Sequence, residues 1–221
     1  MKLSEALERT CFIGILRRIP PEKMLYCAET FAAEGGEVLE ITFDPADPDT
    51  LRKTRRALRE IRRTVPHLHL GAGTVLNVAM AEAATDSGAE FLVSPGTSPA
   101  IIEIAHKQGV AAIPGAYTPN EILHAYESGA DLVKLFPILP GGELYVRTVM
   151  SPLAHIPFLV TGGIHPGNVR SMLETGATAV GAGASLFPPE QVERNNWRGI
   201  AQTIRLHWKE IPERKSNGSI N

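Results

Sequence analysis

A small residue and a glycine precede an apolar segment four times along this chain. The pairs are Gly35-Gly36, Ser87-Gly88, Ser128-Gly129 and Thr175-Gly176. Glycine readily adopts the left-handed backbone conformation that closes a helix, so each pair indicates where a helix ends and a strand begins. The repetition predicts a chain built from successive βα units.

Eight apolar segments have the length and composition of buried strands, and a plausible helix follows each one. The predicted strands are 12–16, 38–43, 69–74, 91–94, 111–114, 132–136, 158–161 and 179–182. Eight parallel strands that alternate with helices close most naturally into a barrel. We therefore expect an α/β fold, a single-domain (β/α)8 TIM barrel over residues 1–212, with a polar, flexible C-terminal tail at 213–221.

Two helix starts support this interpretation. Thr118 provides a capping hydroxyl, Pro119 suits the first helical position, and Glu121 completes a capping box. Ser98 and Pro99 repeat the first two of these features. Both sites lie where the barrel prediction requires a helix to begin.

Lys134 lies inside the apolar segment 132–136. A buried ammonium is costly, so a chain that keeps a lysine there has either paired it or lowered its pKa. Strand alternation places Leu132, Lys134 and Phe136 on one face, which in a closed barrel is the interior. A lysine with a lowered pKa is a nucleophile that forms a Schiff base with a carbonyl substrate.

Glu40 is a lone carboxylate in the apolar segment 38–43. One interpretation is a structural ion pair with Lys134, since buried charges are often simply matched. The other is functional, because a poorly solvated carboxyl has a raised pKa that suits proton transfer. Such general acid–base catalysis contributes roughly 10²- to 10⁴-fold in rate.

Two glycine-containing loops indicate an anion site. Thr161-Gly162-Gly163-Ile164 ends the predicted seventh strand, and Gly181-Ala182-Gly183-Ala184-Ser185 ends the eighth. In phosphate-binding barrels the loops after these two strands present backbone N–H groups to the phosphate. Glycines that only form tight turns are the alternative interpretation.

Charge and composition favour a small-molecule partner. Lysine plus arginine total 22 against 24 acidic residues, a net charge of −2, which argues against a nucleic-acid or membrane-surface binder. The two cysteines and the absence of a leader or long apolar stretch predict a cytoplasmic protein. His67 and His69 have the spacing of metal ligands but lie at the wrong end of their strand, so no metal and no cofactor are expected.

The order of several short motifs resembles the 2-keto-3-deoxy-6-phosphogluconate (KDPG) and 4-hydroxy-2-oxoglutarate (KHG) aldolases. These are short class I aldolases that cleave 2-keto-4-hydroxy acids to pyruvate and an aldehyde. The matching motifs are Leu39-Glu40-Ile41-Thr42, Gly71-Ala72-Gly73-Thr74-Val75, Val93-Ser94-Pro95-Gly96, Ile113-Pro114-Gly115, Val133-Lys134-Leu135-Phe136-Pro137, Thr161-Gly162-Gly163-Ile164 and Gly183-Ala184-Ser185.

The resemblance implies a keto-acid substrate, an imine on Lys134 and proton relay by Glu40. It also implies that the protein is a homotrimer. By the same resemblance, Thr74 and Thr161 would bind the pyruvate carboxylate or the C4 hydroxyl, and Pro95 and Phe136 would form the walls of the site. The residues implied to bind the phosphate are Gly162, Gly163, Gly183 and Ser185.

Asp44 departs from the best-known members of the family, which resemble Glu-x-Thr-x-Arg on the second strand. An aspartate cannot bind a carboxylate as an arginine does. Other branches of the family carry an arginine after the first strand, in a setting similar to Ile15-Leu16-Arg17. We expect Arg17 to be the substitute.

Two other functions remain open from the sequence. A different phosphate-binding barrel, such as an isomerase or synthase, can share a Thr-Gly-Gly-Ile loop. A sugar-acid phosphate sensor without turnover is the non-enzymatic alternative, motivated by Asp44. The lone lysine and glutamate favour the aldolase.

Overall fold

The computed structural model describes residues 3–138 and 141–212. The predicted tail at 213–221 lies outside the described residues. Nine strands form one sheet, and each hydrogen-bonded pair in it is parallel. The strands are β1 Phe12–Leu16, β2 Val38–Thr42, β3 His69–Gly73, β4 Phe91–Val93, β5 Ala111–Ile113, β6 Gly115–Ala116, β7 Val133–Leu135, β8 Phe158–Thr161 and β9 Ala179–Ala182.

The sheet is a barrel whose strand order runs β5-β4-β3-β2-β1-β9-β8-β7-β6. The two end strands, β5 and β6, are consecutive in the chain and are separated only by Pro114. The predicted strand at 111–114 is therefore divided, because proline has no N–H to donate to the ladder. The Pro114 carbonyl still accepts a hydrogen bond from the Lys134 backbone N–H at 2.8 Å, which ties β7 to the divided strand.

Helices follow the strands as the βα repetition predicts. They are α1 Leu3–Thr10, α2 Pro21–Ala33, α3 Thr50–Thr64, α4 Val78–Thr85, α5 Pro99–Lys107, α6 Pro119–Glu127, α7 Gly142–Met150, α8 Val169–Leu173, α9 Pro189–Glu193 and α10 Trp197–Trp208, with a short 3-10 helix at Ser151–Leu153. The capping box at Thr118 and Glu121 is present as predicted. Ser98 precedes α5, but its side chain forms no capping hydrogen bond.

The sheet has an apolar layer on each face, one outside the barrel and one inside it. Val133 and Leu135 belong to the large layer between the barrel and its helices. Leu132 packs against a smaller interior cluster that includes Val38, Phe91 and Leu159. The alternation predicted for 132–136 is thus confirmed, and the face that carries Lys134 is the interior one.

Helix α1 was not predicted from the sequence, and it closes the N-terminal end of the barrel. Its Ala6 and Leu7 are buried in the interior cluster beside Ile13 and Ile113. One end of the barrel is therefore filled with apolar side chains. Glu40, Thr42, Lys134 and Thr161 lie towards the other end.

We predict that Leu7→Ala destabilises the protein by about 2–5 kcal/mol, because Leu7 is 1% exposed and its removal leaves a cavity under the barrel. Denaturant unfolding followed by circular dichroism measures the change. Leu206→Ala is the matched control, since Leu206 is 50% exposed. Equal stability of the two variants would contradict the role assigned to α1.

Candidate active site

A cavity of about 380 Å³ opens at the C-terminal ends of the strands. Its wall comes from β1, β2, β7, β8 and β9, from the loops that follow them and from the start of the loop after β3. The lining residues are Ile15, Arg17, Glu40, Thr42, Thr74, Lys134, Phe136, Thr161, Gly162, Gly163, Ile164, His165, Gly181, Ala182, Gly183, Ala184 and Ser185. This end of a parallel barrel is where such folds place their chemistry.

Lys134 projects into this cavity from β7 and is 7% exposed. Its Nζ lies 4.8 Å from the centroid of the Phe136 ring. Burial lowers the pKa of Lys134, the charge of Arg17 acts in the same direction, and Glu40 opposes both. The result is an amine whose neutral, nucleophilic form is available at lower pH than in an ordinary lysine.

Glu40 lies on β2 and is 2% exposed. Burial raises the pKa of its carboxyl, while Lys134 and Arg17 act in the opposite direction. Gly73 on the neighbouring β3 makes room for this side chain, since a Cβ at Gly73 would come within 1.7 Å of Glu40 Oε1. The position of the Glu40 carboxylate therefore depends on the absence of a side chain at Gly73.

The charges of Lys134 and Glu40 influence each other without a direct ion pair between the two side chains. Glu40 Oε2 is buried and has no hydrogen-bond partner, and the same is true of Thr161 Oγ1. Buried polar atoms are almost always hydrogen-bonded in folded proteins. Two such atoms on the wall of one cavity indicate a site that hydrogen-bonds a polar ligand, which favours the functional interpretation of Glu40 over a structural ion pair.

Arg17 and Asp44 lie in different surroundings. Arg17 follows β1 and lines the cavity, and its charge affects both Lys134 and Glu40. Asp44 is exposed and serves the turn after β2, where its Oδ1 accepts a hydrogen bond from the Ala46 N–H at 3.1 Å. The geometry thus brings Arg17, and not Asp44, to the mouth of the barrel.

The two glycine-containing loops form one side of the cavity. Gly162 and Gly163 adopt φ values of 84° and 120°, which side chains disfavour. Ser185 Oγ donates a hydrogen bond to the Ile164 carbonyl at 2.6 Å, so the loops after β8 and β9 are tied together. Asn168 Nδ2 donates to the Gly163 carbonyl at 2.9 Å and fixes the first loop from its far side.

Ten of the eleven residues predicted for the site line the cavity, and Pro95 does not. Pro95 is exposed after β4, and its carbonyl lies against Gly115 instead. Thr42 and His165 also line the cavity, and the sequence analysis assigned no role to either. Thr42 could have been found from its position two residues after Glu40 on the same strand face; His165 lies in a loop, where no periodicity marks it.

His69 lies away from this cavity, and its side chain takes part in a small network of ion pairs. Its Nδ1 is 2.5 Å from Glu90 Oε2, and Glu90 also pairs with Arg62 at 2.7 Å. Over residues 3–138 and 141–212 no cluster of three or more His, Cys, Asp or Glu side chains is arranged to hold a metal ion. No helix in that part of the chain is both long and apolar enough for a membrane span.

The comparison with protein families identifies the chain. The family model described as KDPG and KHG aldolase matches residues 3–203. The chain belongs to the KDPG and KHG aldolase family. Aldolases of this kind are carbon–carbon lyases, so membership decides between the enzyme classes that the sequence leaves open.

Individual members of the family align along nearly the whole chain. The 2-dehydro-3-deoxy-phosphogluconate aldolase of Haemophilus influenzae is 31% identical over 92% of this chain and 94% of its own length. That of Treponema pallidum is 33% identical over 91% of this chain and 96% of its own length.

A solved KDPG aldolase has the same fold. The enzyme of Legionella pneumophila superimposes with a TM-score of 0.79 at 25% identity, over 92% of this chain and 97% of that one. Its structure contains pyruvate captured at low pH as a covalent carbinolamine intermediate. The fold predicted from the sequence is confirmed by this similarity.

We predict that the Lys134 amine is acetylated by acetic anhydride with a midpoint below the ordinary lysine pKa of 10.5, since burial disfavours its ammonium form. Competitive labelling across pH, read by peptide mass spectrometry, gives the midpoint. Exposed Lys107 is the internal reference.

In the Glu40→Gln variant the Lys134 midpoint should fall further, because the Glu40 carboxylate favours the charged lysine. An unchanged midpoint in that variant would show that the two groups do not interact. A wild-type midpoint equal to that of Lys107 would show that the Lys134 amine is as well solvated as a surface lysine.

Proposed function

We propose that this protein is a class I aldolase that cleaves KDPG reversibly to pyruvate and glyceraldehyde 3-phosphate, with KHG as a second substrate. The observation that carries the proposal is a buried amine with a lowered pKa, facing a buried carboxyl with a raised pKa across one cavity. Family membership supports the same activity.

Lys134 is the proposed nucleophile. Its neutral amine attacks the C2 carbonyl of the keto acid to form a carbinolamine, and loss of water gives a protonated imine. The cavity supports this step because it holds Lys134 close to the Phe136 ring and away from bulk water. The protonated imine then withdraws electrons from the C3–C4 bond.

Glu40 is the proposed proton shuttle. In its protonated form it supplies the proton with which the carbinolamine hydroxyl leaves as water. As the carboxylate it then accepts the C4 hydroxyl proton, directly or through a water, while the C3–C4 bond breaks to an enamine and an aldehyde. A pKa raised by burial suits a group that must both give and accept a proton near neutral pH.

The substrate carboxylate is the proposed partner of Arg17, whose guanidinium is suited to bidentate carboxylate binding. Thr161 and Thr74 are assigned to the carboxylate or the C4 hydroxyl. The unpartnered Thr161 Oγ1 supports this assignment, because a ligand oxygen would satisfy it. Phe136 is proposed as a wall of the site. Pro95 stays a proposed wall on the family resemblance alone, since it does not line the cavity.

The substrate phosphate is the proposed ligand of Gly162, Gly163, Gly183 and Ser185. These residues form the side of the cavity made by the loops after β8 and β9, and glycine permits close approach of the backbone to an anion. We further propose a cytoplasmic homotrimer in which residues 1–212 form one domain, as the family resemblance implies.

Borohydride trapping tests the function. We predict that reduction in the presence of pyruvate adds a stable three-carbon group to Lys134, since only an imine is trapped in this way. Lys134→Ala should abolish both trapping and turnover while the circular dichroism spectrum is unchanged. Glu40→Gln should slow turnover by at least about tenfold and still permit trapping.

Full activity in either variant would remove that residue from its role. Stabilisation by KDPG without pyruvate release in the wild type would instead indicate a sugar-acid phosphate sensor. Comparing phosphorylated KDPG, its C4 epimer and unphosphorylated KHG by kcat/KM identifies the preferred substrate.

A second prediction follows from the space that Gly73 leaves for Glu40. Gly73→Ala should lower kcat by about tenfold or more, because the new Cβ displaces the carboxylate from its position. Gly96→Ala is the control, since a Cβ there meets nothing within 4 Å. Equal pyruvate release by the two variants would show that the position of Glu40 is not critical.

A further inference from the structure

His207 is a buried titratable residue that the proposed chemistry leaves without a role. It lies in the last turn of α10 and is 0% exposed. The centroid of its imidazole lies 5.7 Å from that of the Phe12 ring in a T-shaped arrangement, and its Nε2 faces the loop after β9. The residue that it meets on that loop is Ser185.

The hydrogen bonds of the imidazole assign its tautomer. Nδ1 lies 2.9 Å from the Thr203 carbonyl, which can only accept, so Nδ1 carries a proton. In the neutral ring Nε2 then has a lone pair, and it lies 3.5 Å from Ser185 Oγ. The Ser185 hydroxyl donates to the Ile164 carbonyl, so Nε2 receives no strong hydrogen bond from it.

The surroundings favour the neutral ring in this state. Burial lowers the pKa of His207 below its ordinary value of 6.5; the Thr203 carbonyl acts against this effect, and the charge of His165 adds to it. The C-terminal turn of α10 nonetheless offers a partial negative charge that would stabilise an imidazolium. The ring is therefore able to change charge when an anion arrives.

The other elements packed on α10 contribute paired or exposed charges. Glu34, which follows α2, forms a two-point ion pair with Arg205 at 2.6 and 2.7 Å. Glu190 and Glu193 of α9 are exposed. On the cavity side, the group whose charge acts on His207 is His165.

A phosphate bound by these loops changes what Ser185 must do. If Ser185 donates to a bound phosphate, its hydroxyl proton turns away from the Ile164 carbonyl, and an Oγ lone pair can then face His207. Nε2 can form a hydrogen bond with that lone pair only if it carries a proton and donates it. Because Nδ1 is already protonated, this requires the imidazolium, whose charge also attracts the phosphate dianion.

We propose that His207 is a positioning residue for phosphate: it takes up one proton from solvent when a phosphate monoester binds, and its Nε2–H then holds Ser185 with the hydroxyl proton directed at the phosphate. This inference rests on the phosphate site of the proposed function. It assigns the discrimination between phosphorylated and unphosphorylated substrates in part to α10.

Calorimetry with glycerol 3-phosphate tests the proton uptake. At pH 8 this ester is already dianionic, since its second pKa is about 6, so any proton taken up goes to the protein. Titrations in buffers of different ionisation enthalpy should give an uptake of up to one proton per site for the wild type. His207→Gln, which keeps a hydrogen-bonding amide but cannot be charged, should give none.

His124→Gln is the matched control, because His124 is an exposed histidine on α6 outside the cavity. It should retain the wild-type uptake. If His207→Gln does not fold, as judged by its thermal unfolding, the wild-type measurement still tests the proposal, because an absence of uptake overturns it. No uptake by the wild type on binding the ester, or the same uptake in folded His207→Gln, would overturn the proposal.

Kinetics separate this inference from the proposed function. His207→Gln should raise KM for KDPG by about tenfold with little change in kcat, and should leave KM for KHG unchanged, because KHG has no phosphate. A purely structural role would change both substrates alike and would overturn the inference. Wild-type protein that cleaves neither substrate would overturn the proposed function, while the calorimetric result would still test His207.

Discussion

The structure depends on two opposite charges that are buried at the mouth of one barrel without touching. Each of them, Lys134 and Glu40, would be costly alone, and each lowers the cost of the other through the field across the cavity. A direct ion pair would satisfy both groups and leave neither reactive. The gap between them keeps the amine nucleophilic and the carboxyl able to exchange a proton.

The barrel makes this arrangement possible because its two ends differ. At the N-terminal end, α1 and the interior cluster fill the barrel with apolar side chains, which supplies the packing that holds the strands in register. At the C-terminal end the same interior face carries Glu40, Thr42, Lys134 and Thr161. The residues that stabilise the barrel and the residues that line the cavity thus lie on the same strands, but at opposite ends of them.

The barrel and its reactive pair were predictable because they depend on local patterns. Glycine pairs mark the helix ends, and a charge inside an apolar segment is visible in the sequence alone. Strand alternation then fixes the direction of Lys134. The predicted strand at 111–114 failed in detail, since the sequence does not show that the chain resumes its pairing after Pro114.

Other features depend on contacts between distant segments, and these could not be predicted. Nothing in the residues of α1 shows that they close a barrel, and no spacing connects Gly73 with the carboxylate that it accommodates. Pro95 matches the family motif, yet its loop packs against Gly115 and not against the cavity. A motif gives the identity of a residue, whereas its orientation depends on its neighbours in space.

The side of the cavity proposed to bind phosphate also depends on contacts between distant segments. Ser185 donates a hydrogen bond to the Ile164 carbonyl, and its Oγ lies 3.5 Å from His207 Nε2 of α10. Trp208, next to His207, packs on Phe12 with 4.8 Å between the two ring centroids. This contact holds the last helix against the first strand. We therefore expect a change in the packing of α10 to alter the surroundings of Ser185. The proposed anion side of the site thus depends in part on α10, whereas Lys134 and Glu40 are positioned by β7 and β2.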